Sequence, residues 1–164
     1  MILRKHSQSL AYALAIAQRE KDALERSYAR LFPNNRPITT AWLEDNGHIP
    51  EVEDRIEAFA ARFARFQDSL GHHVLPKLLA AVGEELGTVI DNVNQAHRLH
   101  WTDDPESLVE SREIRNHLVH EYVADFALLA NALNDAAAYV SALLTAYERM
   151  RAEAERRGIQ PADQ

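Results

Sequence analysis

Val52, Ile56, Phe59, Phe63, Phe66 and Leu70 recur at alternating steps of four and three residues. That spacing stacks the apolar side chains on one side of a helix and would scatter them over both faces of a strand. The segment therefore predicts an amphipathic helix. Pro50 suits its first position, and Glu51, Glu53 and Asp54 favour the positive end of the helix dipole. Gly71 reads as its terminator.

The same periodicity runs through most of the chain. Leu10, Leu14, Ala17, Leu24, Tyr28 and Leu31 form a stripe that Pro33 and the turn-like Asn34-Asn35 stop. Residues 33–50 hold three of the six prolines and read as a loop with one helical turn around Trp42. A shorter helix is predicted over roughly 74–83, and Gly83 and Gly87 bracket a turn. Thr88 with Asp91 resembles a cap for a helix reaching about His100. Asp104 before Pro105 predicts the start of another. The last helix begins near Asp125, buries Phe126, Leu129, Leu133, Ala137, Val140, Leu144 and Tyr147, and closes at Gly158 and Pro161. The expected fold is an all-α bundle of five to six helices, in one domain over residues 1–164.

Composition narrows the function. The 164 residues carry a formal net charge of −7, which argues against a broad basic face for nucleic acid. Any contact with RNA must then be local, in a cleft where a few arginines outweigh the global charge. There are no cysteines, so a disulfide framework, a thiolate zinc site and a cysteine nucleophile are all excluded; a reducing, cytoplasmic setting fits. Arg4 and Lys5 before the apolar residues 10–17 outline a secretory signal faintly. The apolar pattern continues to Leu31, so one amphipathic helix is expected instead. No stretch reads as long enough to span a bilayer.

The segment Arg115-Asn116-His117-Leu118-Val119-His120-Glu121-Tyr122 carries the chemistry. On a helical wheel Ile114, Leu118, Val119 and Tyr122 share one arc, with Arg115 in its middle. Asn116 and His120, four apart, sit side by side on the neighbouring arc. An arginine among apolar side chains is costly unless a carboxylate pairs with it or water reaches it. Taken singly, such an arginine is more often an ion pair than a catalytic group, a lone histidine is more often a surface residue, and a tyrosine usually packs its ring. Together, a planar fork of donors and a proton carrier suggest work on a phosphodiester.

Arg-x4-His, with Asn after the Arg and Tyr two past the His, resembles the signature of HEPN-domain proteins, especially HepT-like toxins of prokaryotic toxin–antitoxin pairs. All four positions match, at Arg115, Asn116, His120 and Tyr122. The helix order over about residues 50–145 is similar more loosely, and the first fifty residues match only in helical character. The resemblance implies a type II toxin that cleaves RNA, not DNA, at a homodimer cleft without metal or cofactor. It makes Arg115, His120 and Asn116 the catalytic residues. It also implies a nucleotidyltransferase antitoxin as partner, with Tyr122 as the site of AMPylation. Residue chemistry agrees in part: metal-free cleavage needs a base for the 2′-hydroxyl, an acid for the leaving oxygen and a cation for the phosphorane. One motif supplies a single matched histidine. A two-fold dimer would supply the second, and His117, one turn from His120, is an internal alternative.

Two rival readings compete. His97 with His100, His117 with His120, and the His72-His73 doublet have spacings that occur in metal sites, although eight histidines in this length produce such spacings by chance. A non-catalytic module that binds substrate or nucleotide beside a nucleotidyltransferase, or serves only as an interaction module, fits the acidic surface equally well. Trp42 and Trp101 lie near predicted helix ends, where an indole either packs or stacks a base.

Overall fold

The computed structural model describes residues 2–120 and 125–163, and for Ile2, Leu3, Val119 and His120 the backbone alone. Every regular element among them is helical: α1 (Ile2–Leu31), α2 (Thr40–Asn46), α3 (Pro50–Asp68), α4 (Leu75–Ala81), α5 (Val89–Arg98), α6 (Pro105–His120) and α7 (Phe126–Arg156). A 3-10 turn over Pro33–Asn35 follows α1, where Asn34 and Asn35 take the positive φ that asparagine tolerates. A π turn, Ser69–Val74, joins α3 to α4 without a break, so the described residues form six helical runs. The expected all-α bundle is what forms.

Its core is built from the predicted stripes. Phe59, Phe63 and Phe66 of α3 are fully buried with Leu10, Leu14 and Leu24 of α1. α1 lies along α3, and α6 packs on α3, α5 and α7. From α7, Leu129, Leu133, Val140 and Tyr147 complete the interior, while Phe126, Ala137 and Leu144 are only partly buried against it. The Tyr147 hydroxyl donates to the Leu14 carbonyl at 3.0 Å, tying the last helix to the first. The loop before α2 is clasped to α7 by Asn134, whose amide bonds both backbone groups of Ile38.

Three helix starts match their sequence signals. Thr88 and Asp91 form a reciprocal capping box at α5. Asp104 accepts from the Ser107 N–H at 3.0 Å, and Asp125 accepts from those of Ala127 and Leu128.

Two expectations fail. Gly71 does not end its helix. Leu70, Val74, Leu75, Leu78 and Leu79 stay buried beyond it, and their burial outweighs the roughly 1 kcal/mol that a helical glycine costs. Pro76 explains the local geometry. A proline lacks an N–H and crowds the carbonyl four residues earlier, here that of His72. The wider π turn accommodates it, with the Leu75 N–H donating to the Leu70 carbonyl, five residues back. Gly83, at φ 85°, is the actual terminator. The second failure concerns membrane length. α7 has 31 residues, and by length and composition alone it is long and apolar enough to cross a bilayer. Alanine supplies much of that apolar character, and most of the larger apolar residues of α7 pack into the bundle, Leu128 being the exposed one.

Candidate functional site

Leu108, Ser111 and Leu118 define the face of α6 that points into the bundle, and each is buried. Arg115 occupies the same line, between Ser111 and Leu118. A leucine there would simply extend the core. The arginine instead turns its guanidinium out to the edge of the interface with α3, where its side chain keeps 34% exposure.

Asp68, the last residue of α3, meets it there. Arg115 Nη1 lies 3.3 Å from Asp68 Oδ1. His72, four residues on and inside the π turn, brings its Nε2 within 3.9 Å of the same oxygen. One carboxylate therefore gathers a guanidinium from α6 and an imidazole from the π turn, and all three side chains are more than a third open to solvent. Sequence alone leaves two possibilities open for Arg115, a buried carboxylate or a wet cleft at an interface. The structure gives it a carboxylate partner that is itself exposed.

Around this trio the surface is rich in ionisable groups. Glu20 of α1 reaches the π turn, near Ser69, Arg65, Asp68 and His73. Burial, the largest influence, raises its carboxyl above the usual carboxylate range against the opposing pull of the Ser69 hydrogen bond. Beside His72 runs a groove of about 290 Å³ lined by His6, Ser9, Pro76, Lys77, Ala80 and Leu86. Across Lys77 a second hollow of about 300 Å³ holds Tyr12, Ile16, Ser69 and His73.

The other motif positions are placed less fully. Asn116 is exposed on α6. His120 is the last residue of α6, and helix geometry sets its position about 140° around the axis from Arg115 and about 7.5 Å along it. Tyr122 lies outside the described residues. His117 approaches Glu113 Oε1 at 3.9 Å through its Nε2, on the exposed side of α6.

Of the rival metal pairs, the one with His120 lies partly outside the described side chains. Among the described residues no three histidine, aspartate or glutamate side chains converge with metal-binding geometry. His97 Nδ1 instead sits 3.0 Å from the Thr102 carbonyl. Trp101 is a core residue, while Trp42 is partly exposed on α2.

Sequence reasoning misses Asp68 and His72 as partners of Arg115. Their signal is the i, i+4 spacing of an acid and a histidine, readable only if the helix passes through Gly71. No family model, no curated protein and no solved structure matches the chain.

Proposed function

We propose that this chain is a metal-independent endoribonuclease of the HEPN class, the HepT-like toxin of a type II toxin–antitoxin pair, working in the cytoplasm as a homodimer. The observation that carries the reading is the position of Arg115: a charged side chain on the core-facing line of α6, partly open to solvent and held by Asp68. Packing alone gives no reason for an arginine there, since its partial desolvation is unfavourable. A guanidinium has five donors, and Asp68 takes one, leaving the others for phosphate oxygens.

In the proposed reaction the 2′-oxygen of RNA loses its proton to a base and attacks the adjacent phosphorus. The bond to the 5′-oxygen breaks, and that oxygen takes a proton from an acid. Arg115 stabilises the charge that builds on the phosphorane, and His120 is a proton carrier. Asn116 stands one turn before His120 on α6 and suits orientation of the ring or donation to a phosphate oxygen. The 140° between positions 115 and 120 turns them away from one face of a single helix. Two copies related by a two-fold axis bring Arg115 of one beside His120 of the other. A nucleotidyltransferase antitoxin would silence this site by adding adenylate to Tyr122, placing negative charge where RNA phosphate binds.

The test is cleavage of single-stranded RNA by purified protein in EDTA, beside growth of cells expressing it. Wild type should cut and slow growth, and His120→Ala should lose both. A folded wild type that leaves RNA intact removes the nuclease reading and leaves the non-catalytic module.

A further inference from the structure

Metal-free cleavage needs two proton carriers, and the motif names one. Asp68 brings another into contact with the site from within the same chain. His72 Nε2 faces Asp68 Oδ1 at 3.9 Å, and Arg115 Nη1 faces that oxygen at 3.3 Å. At 3.9 Å the two are beyond a direct hydrogen bond, but the carboxylate's charge favours a proton on the nitrogen that faces it, with the other nitrogen then an acceptor. The π turn is what carries His72 here, and such turns recur at functional sites. The imidazole is exposed, and it borders the groove that His6 and Lys77 also line.

We propose that His72 is the general base of the site, with Asp68 as the positioning residue that orients it and fixes Arg115. The inference rests on the nuclease reading and deepens it by assigning the second proton carrier. His72 Nδ1 takes the 2′-hydroxyl proton as the 2′-oxygen bonds to phosphorus. Arg115 holds the non-bridging oxygens. His120 protonates the departing 5′-oxygen, and the product is a 2′,3′-cyclic phosphate, so no water or further reactant enters this step. The strand leaving the phosphate runs into the groove beside His72, where Lys77 and His6 face its backbone. The charged and titratable groups near His72 include Asp68 and His73 on its own helical run, Arg115 from α6, His6 from α1 and Lys77 from α4, with Glu20 near Asp68.

The experiment compares wild type, His72→Ala and His120→Ala on an oligoribonucleotide and on the same oligomer with a sulfur replacing the 5′-bridging oxygen at the bond cut. A thiolate leaves without a proton. With the ordinary oligomer both variants should lose about 100-fold or more in rate, the usual scale of acid–base catalysis. With the sulfur oligomer His120→Ala should recover and His72→Ala should not. The pH dependence of the rate should change in His72→Ala, and added imidazole should restore part of its rate. Unchanged melting shows that the exposed substitution leaves the fold intact. Full activity and an unaltered pH profile in His72→Ala overturn the assignment while the nuclease reading stands. A wild type inactive on both oligomers overturns the two together.

Discussion

Arg115 Nη1 lies 3.3 Å from Asp68 Oδ1, linking the motif helix to the end of α3. Both side chains are more than a third exposed, so the pair contributes at most about 1 kcal/mol to stability. Its worth is in orientation. Asp68→Asn should therefore leave the melting temperature within a few degrees of wild type. RNA cleavage should fall about 10- to 100-fold, because the guanidinium and the His72 ring lose the group that fixes them. Equal activity in the two proteins would assign Asp68 no part in the site. Arg115→Lys should fare no better, since an ammonium lacks the planar fork.

Asn134 supports the other side of the bundle. Its Oδ1 accepts from the Ile38 N–H at 2.9 Å, and its Nδ2 donates to the Ile38 carbonyl at 2.7 Å. Ile38 is 5% exposed, so water cannot easily replace the amide. Asn134→Ala should cost about 1–3 kcal/mol, read by urea denaturation, through the unmade bonds. Asn134→Asp should also destabilise, because a carboxylate cannot donate to the carbonyl.

Fold and site are legible in the sequence to different depths. The stripe from Val52 to Leu70, the Thr88–Asp91 box and the Asp104 and Asp125 caps are local patterns, and local geometry realises each one. Gly71 misleads because a glycine's effect depends on the residues that come after it. Here Val74, Leu75 and Leu78 anchor the continuing helix, and Pro76 sets the π geometry. Arg115 stands out because it breaks an apolar line. Asp68 and His72 do not, since an acid and a histidine at the surface break no pattern. What joins them to Arg115 is the packing of α6 on α3, a relationship across 47 residues that no periodicity encodes.

Glu20 gives the chain a pH dependence of definite sign. Its Oε2 is buried and has no hydrogen-bond partner among the described residues, and burial raises the carboxyl above its ordinary 4.5. The folded state therefore binds this proton more tightly than the unfolded state. From about 4.5 upward, as far as the raised value, the folded chain carries more protons, so stability falls as pH rises through that window. Above it the cost of the ionised group is fully present. Glu20→Gln removes the charge and retains an oxygen for Ser69. The variant should melt higher than wild type near neutral pH, with the difference closing towards about pH 4. A difference independent of pH would place the effect in packing rather than ionisation.

The proposed pairing of Arg115 and His120 across two copies makes a prediction that no single-chain site shares. Each α6 carries its two positions about 140° apart, and in the proposed two-fold arrangement a complete set would draw the arginine from one copy and the histidine from the other. Arg115→Ala and His120→Ala should each be inactive alone. Mixed after subunit exchange, they form heterodimers in which one site has both groups intact and the other has neither. Such a heterodimer should regain up to about half the wild-type rate, since one of two equivalent sites is whole. Sedimentation run alongside should show a dimer at the concentrations assayed. A monomer with full activity, or a mixture as inactive as its parts despite demonstrated exchange, would return both groups to one chain and set the two-fold arrangement aside.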